Sequence, residues 1–194
     1  MFTEYKALET TRITPKSIDY YHPDTLEVIT LETPALDVLA DFYTKRPRVI
    51  HKSALASEAI EEMQKEKIKA LLVIDDEDHV IGLLNAARVH GNYNTQIAQQ
   101  HGITTKEVTS AMLMAPINTL PLLEYHRVKD AQVGHIARLL HESNLDHILV
   151  IECDAKRNPI IRGIFSASFI GRHLGKNIGV DLGLNTLAEI NKII

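Results

Sequence analysis

The stretch Gly163-Ile164-Phe165-Ser166-Ala167-Ser168-Phe169 places a glycine, two apolar residues and a hydroxyl at the end of an apolar run. Glycine lets a ligand approach backbone without a side-chain clash, and the Ser166 hydroxyl can donate to or accept from whatever arrives. A second stretch, Gly82-Leu83-Leu84-Asn85, keeps the glycine, replaces the hydroxyl with an amide and leads to Arg88, a cation able to pair with an anion. Ser166 has an alternative use as the cap of the helix that follows, and Arg88 as a solvated helix residue. His51 and Lys52 stand just before the first long amphipathic segment, either as phosphate contacts or as a solvated loop.

Other reactive residue types lack a productive spacing. The run Asp75-Asp76-Glu77-Asp78-His79 gathers hard oxygen ligands, but without the ligand spacing of a calcium loop it reads as a polar turn. His135, His141 and His147 fall on a helix, its later turn and a strand, and no pair at four-residue spacing shares a helical face. His147 is expected at the border of the core, and no metal site is expected. The glycines of GRHLGKNIG (171–179) follow a helix start rather than a strand, a poor phosphate signal. Without a nucleophile elbow, P-loop or dinucleotide fingerprint, no catalytic residue is assigned and the chain reads as a non-enzyme. Cys153, the single cysteine, forms no disulfide within the chain and is expected as a small buried hydrophobe near a strand end.

The elements that must position these residues come as an internal repeat. SALASEAIEEMQKEKIKALLVID (53–75) aligns with DAQVGHIARLLHESNLDHILVIE (130–152), with Ser53 on Asp130, both expected as helix N-caps. Ala56, Ala59, Ile60 and Met63 fall on Val133, Ile136, Ala137 and Leu140, the spacing of one apolar helical stripe. Each helix leads to an almost wholly apolar strand, ALLVI or HILVI, which suits burial on both faces. A polar turn, DDEDH or CDAKRNP, then gives way to the glycine-bearing strand and a further helix, the first copy ending near Gly102. Neither helix–strand–strand–helix unit can bury both faces of its sheet alone, so the two are expected to pack sheet to sheet as a pseudo-symmetric α+β pair. Residues 1–46 form an N-terminal extension with the alternating stretches TTRIT and LEVITL and a helix over ALDVLADFY. The units span 47–104 and 105–175. The tail, 176–194, is expected to hold a helix opened by a Thr186-x-x-Glu189 capping box, its apolar stripe docking on its own domain or a dimer mate.

The bulk numbers agree with a soluble globular protein. The 194 residues carry 45% hydrophobic residues and a net charge of -4, with no dense Lys/Arg run, which argues against nucleic acid as the main partner. The opening MFTEYKALETTR carries early acids and no apolar segment, against a signal peptide, and no apolar run reaches the ~20 residues of a membrane helix. A cytoplasmic location and no membrane partner are expected.

Over about residues 34–175 the pattern resembles a cystathionine-β-synthase (CBS) domain pair, or Bateman module, of the stand-alone bacterial type. SEAIEEM, KIKALLVIDDEDHVIGLLNAARV, TSAML, HIARLLHESNLDHILVI and IRGIFSASFI carry the resemblance. It implies a flat, often dimeric pair of units, regulatory rather than catalytic, that takes adenosine-type ligands such as AMP, ADP, ATP or S-adenosylmethionine in clefts between the copies, requires no cofactor and signals to a protein partner. It also implies a ligand motif of glycine, two apolar residues, Ser or Thr, two spacers and an Asp that accepts both ribose hydroxyls. By that motif Gly82, Asn85 and Arg88, and Gly163, Ile164, Ser166 and Phe169, are the candidate ligand contacts, with His51 and Lys52 near the mouth. Neither copy has the acid: Arg88 and Phe169 stand in its place. Losing a charge-assisted bond costs roughly 1.5–3 kcal/mol, so a ligand-free dimeric scaffold with Phe169 plugging the cleft is the alternative.

Overall fold

Two apolar hairpins, each preceded by an amphipathic helix, organise the chain. The computed structural model describes residues 28–176 and Ile178; TTRIT and the expected tail helix lie outside them. In the first copy, α1 (Ala56–Glu66) buries Ala56, Ala59 and Met63 and ends at Lys67 in the left-handed region, φ 54°. In the second, α6 (Val133–Glu142) buries Val133, Ile136, Ala137 and Leu140. Both stripes are the ones the heptad-like spacing predicts.

Neither helix begins at the expected Ser53 or Asp130. The caps are Leu55 and Gln132, held extended by antiparallel bridges to Thr109 and Pro34. Ala56 N–H donates to the Val108 carbonyl at 2.9 Å and Val133 N–H to the Thr33 carbonyl at 2.8 Å. A distant segment thus fixes each helix start. The cap amides are satisfied from inside the helix: Glu58 Oε2 accepts from Leu55 N–H at 2.6 Å, and His135 Nδ1 from Gln132 N–H at 3.0 Å.

Each helix delivers a hairpin: β3 (Ala70–Ile74) with β4 (Val80–Asn85), and β7 (His147–Cys153) with β8 (Pro159–Ser166). The two hairpins share even their irregularity, a register shift at Val73/Ile74 and at Val150/Ile151. The parallel strands β2 (Val49–His51) and β6 (Leu122–Glu124) pair with β3 and β7. A fourth strand crosses over from the other half: β1 (Ala40–Asp41) pairs with β8, and β5 (Ala115–Pro116) with β4. The sheets therefore run β2-β3-β4-β5 and β1-β8-β7-β6. Where a helix over ALDVLADFY was expected, the chain makes one 3-10 turn (Ala35–Val38) and then β1, because the backbone beyond Leu39 is taken up in pairing.

Short helices complete the units: α2 (Ala86–His90), α3 (Asn92–His101), α4 (Ser110–Leu113), α5 (Tyr125–Val128) and α7 (Ala167–Leu174). As expected, α3 stops at Gly102, which adopts φ 64°. On their helix-facing sides the sheets bury Leu71, Val73 and Leu84 with Met63, and Ile148, Val150 and Phe165 with Ile136. Their other faces meet through Leu72, Leu83 and Leu149, with Phe42, Ile161 and Ile164 packed against them. This is the expected sheet-to-sheet seam. Cys153 departs from expectation: as the last residue of β7 it has run past the covering helices and is exposed. Among the described residues, no helix is long and apolar enough to cross a membrane.

Candidate functional site

The seam opens into a cleft of about 900 Å³, a size suited to a small organic ligand. Phe42, Leu72, Leu83 and Ile164 give it apolar surface continuous with the seam. Its remaining wall comes from the 3-10 turn, the loop before β2, the α1–β3 link, the first residue of β7 and the β8–α7 junction. Those segments bring together Lys45, Arg46, Arg48, Lys67, Lys69 and Arg172, against only Asp37 and Glu66. Glu66 is already engaged, 2.5 Å from Arg48. Among the described residues no carboxylate pairs with Lys45, Arg46, Lys67, Lys69 or Arg172. A protein of net charge -4 thus carries a strongly positive cleft.

Ile164, Ser166 and Phe169 line this cleft. Ser166 is at the same time the N-cap of α7, its Oγ accepting from Phe169 N–H at 3.4 Å and lying 3.1 Å from Ser168 Oγ. Phe169 does not plug the space: the residue is 39% exposed, and its ring leans on His173, centroids 4.3 Å apart.

The glycines serve a different purpose from the expected one. A Cβ on Gly163 would stand 2.7 Å from the Ala40 carbonyl oxygen, and one on Gly82 would stand 2.6 Å from that of Ala115. Each glycine is where a crossing strand lies closest, opposite Asp41 and Pro116 respectively. The close approach is by the chain's own backbone. Neither glycine is among the residues lining the cleft.

Asn85, Arg88, His51 and Lys52 also lie away from it. Asn85 caps α2, its Oδ1 accepting from Arg88 N–H at 3.0 Å. The Arg88 guanidinium donates to the Leu113 and Met114 carbonyls, both at 2.9 Å, and lies over the Tyr93 ring. It satisfies the end of α4 rather than an anionic ligand. His51 and Lys52 both bind Asp76, and Lys52 holds that carboxyl below its usual range. Asp75 turns back on its own loop, accepting from His79 N–H at 2.8 Å.

Two contributors escaped the sequence reading. The basic residues of the cleft are scattered over 45–48, 67–69 and 172, so no run announces them. His147, expected at the core border, lines the cleft beside its strand partner Ser166. Burial pushes its imidazole down to about 4, Lys69 adding to the shift and Asp146 opposing it, and its Nδ1 is buried without a partner.

Known proteins share this architecture. The family model for the CBS domain matches residues 29–89. An uncharacterized conserved protein from Pyrococcus horikoshii is 20% identical, with a TM-score of 0.52 over 81% of this chain and 99% of its own. A CBS-domain-containing protein from Agrobacterium tumefaciens reaches 0.53 at 14% identity, over 80% of this chain and 98% of its own. The chain has the fold of a CBS-domain pair. CBSX2, a CBS-pair protein from Arabidopsis thaliana solved in complex with AMP, matches with a TM-score of 0.50 at 20% identity, over 72% of this chain and 94% of its own. A probable arabinose 5-phosphate isomerase from Haemophilus influenzae is 43% identical over 44 residues, 23% of this chain and 13% of that protein. The chain therefore spans a small fraction of that curated relative's length. Its two halves exchange β1 and β5, so that each sheet is finished by the other half's leading segment.

Proposed function

We propose that this CBS pair is a regulatory, non-catalytic protein that binds an adenosine-containing small molecule in the cleft lined by Ile164, Ser166 and Phe169, and that it works as a homodimer acting on a partner protein. One observation carries this reading. The seam holds an open cleft with an apolar side able to take a base and a cationic rim able to take phosphate. The AMP complex of the similarly folded CBSX2 supports it. The cleft touches both halves, through residues 45–48 and through 164–172. A ligand there regulates only if it favours one arrangement of the halves over another. Thermal unfolding with AMP, ADP, ATP and S-adenosylmethionine tests the proposal. Ligand at a hundred times its dissociation constant adds about 2.7 kcal/mol of stability. An unchanged melting curve with all four at millimolar concentration rejects it.

A further inference from the structure

One wall of the cleft is held far more lightly than the sheets it bridges. Val38 is buried in the core of the second half and Ile50 in that of the first. Between them no residue of 39–49 is buried, although Leu39, Ala40, Phe42, Lys45, Arg46 and Arg48 line the cleft. A segment with so few buried contacts belongs to the low-stability end of a fold.

Its hold on the second half converges on one carboxylate. Asp41 accepts from Arg162 twice, from Nε at 2.8 Å and from Nη2 at 3.0 Å. The same residue gathers the turn that follows, its Oδ1 accepting from Tyr43 N–H at 2.8 Å and its carbonyl from Lys45 N–H at 3.0 Å. Arg162 is braced from the other side by Glu152 at 2.7 Å and by the Tyr125 ring. Arg162 is thus the fixed catch, and Asp41 the part that can leave. Beyond this pair, the hold consists of the two-residue pairing of β1 with β8 and the Phe42 N–H to Arg162 carbonyl bond. The other crossing is built without charge. Pro116 stands opposite Gly82 where Asp41 stands opposite Gly163, and Ile81 precedes Gly82 where Arg162 precedes Gly163. Ile117 and Leu120, which follow Pro116, pack into the seam.

We propose that residues 39–49 form a strap, latched by the Asp41–Arg162 pair, that comes off the second half as a unit and opens this wall of the cleft while both sheets stay packed. Its ends are pinned at Val38 and Ile50, and its release breaks none of the packing among Leu72, Leu83 and Leu149. The strap opens with or without a ligand, so it stands or falls separately from the adenosine reading above.

Native-state hydrogen exchange of the ligand-free full chain, repeated over a series of low urea concentrations, tests it. The urea slope of an amide measures the surface exposed when that amide opens. The Phe42 amide should exchange faster than the amides of β3 and β7, with a slope less than about half of theirs. Asp41→Asn keeps the shape and removes the charge. It should speed Phe42 exchange by about ten- to a hundredfold, the weight of a charge-assisted contact. Ile97→Ala, which thins the first core at α3 away from the strap, should speed the β3 amides and leave Phe42 unchanged. Equal slopes for Phe42 and the sheets in wild-type protein, or a Phe42 rate that follows Ile97→Ala, overturn the strap. A Phe42 rate unmoved by Asp41→Asn overturns the latch.

Discussion

Replacing Gly163 by alanine separates two uses of a glycine beside a cleft. In the middle of a strand, glycine costs roughly 0.5–1 kcal/mol relative to alanine through backbone entropy. With open space around it, Gly163→Ala would therefore stabilise the protein. Here the new methyl would meet the Ala40 carbonyl oxygen at 2.7 Å and Leu39 Cδ1 at 2.9 Å. The leucine end can move; the carbonyl cannot without dragging β1. That strand is short and is tied to β8 on both sides, by pairing at Ala40 and Asp41 and by the Phe42 N–H to Arg162 carbonyl bond of 2.8 Å. Overpacking of this kind costs typically about 1–3 kcal/mol, so the steric effect outweighs the entropic gain. Urea unfolding at 25 °C should show a lower midpoint with an unchanged slope.

Gly82→Ala should behave alike, since its methyl would face the Ala115 carbonyl oxygen at 2.6 Å. Trimming the mobile neighbours in the doubles Gly163→Ala/Leu39→Ala and Gly82→Ala/Met114→Ala should not restore stability, because the obstructing atom in each case is backbone. Either single variant as stable as wild type, or more so, would refute the account of these glycines as crossing points. Loss of ATP affinity with stability intact would return them to the ligand.

Two further outcomes follow from the charged groups. Arg162 is 18% exposed, forks onto Asp41 at 2.8 and 3.0 Å, reaches Glu152 at 2.7 Å and lies between the Tyr43 and Tyr125 rings. Arg162→Ala should cost about 2 kcal/mol at neutral pH, measured by urea unfolding. Arg162 holds Asp41 below the ordinary carboxylate range, so this stabilisation is present above about pH 4 and is lost as pH falls through the folded value. A cost that persists undiminished at pH 2–3 contradicts the fork as its source. His147 works in the other direction. The unfolded chain takes up its proton below about 6.5, while the folded protein resists until about 4. Between those values acid favours unfolding, by up to about 3 kcal/mol. His147→Gln should be stabilised relative to wild type by that amount on going from pH 7 to pH 4, and a stability difference independent of pH would show that the imidazole is not held neutral.

The repeat was legible because it rests on periodicity. Ala56, Ala59 and Met63, and Val133, Ile136, Ala137 and Leu140, are buried as their spacing implies, and both hairpins form where apolar runs flank polar turns. Features set by distant segments left no such trace. A strand of two residues has no period to read, so β1 and β5 were invisible, and with them the reason for Gly82 and Gly163. The same blindness misplaced the helix caps, since Leu55 and Gln132 are held by bridges to Thr109 and Pro34 rather than by their own side chains. Charge was hidden for a related reason. Lys45 and Arg172 lie far apart in sequence and meet only because the sheets pack across the seam.

The pseudo-symmetry of the pair explains where its chemistry can differ between copies. Gly82 and Gly163 are alike because both halves need a strand to cross at that point. Beyond the glycines the constraint relaxes. The residue at Asn85 in one half is Ser166 in the other, and both cap a helix, so either side chain meets the structural need. Three residues on, the copies part. Arg88 is drawn inward by two carbonyls that α4 leaves open, whereas Phe169 has no donor to answer them and stays at the wall of the cleft. The strand starts diverge too, Ala70 against His147. The side chain that would meet a ligand in one half is therefore consumed by structure in the other. Because the basic rim of the open cleft draws on residues 45–48 and on Arg172, neutralising it with a polyanion removes repulsion between segments of both halves at once. If the cleft takes an anionic ligand, as proposed, that shared electrostatic relief is a physical route by which occupancy would alter how the two halves sit together.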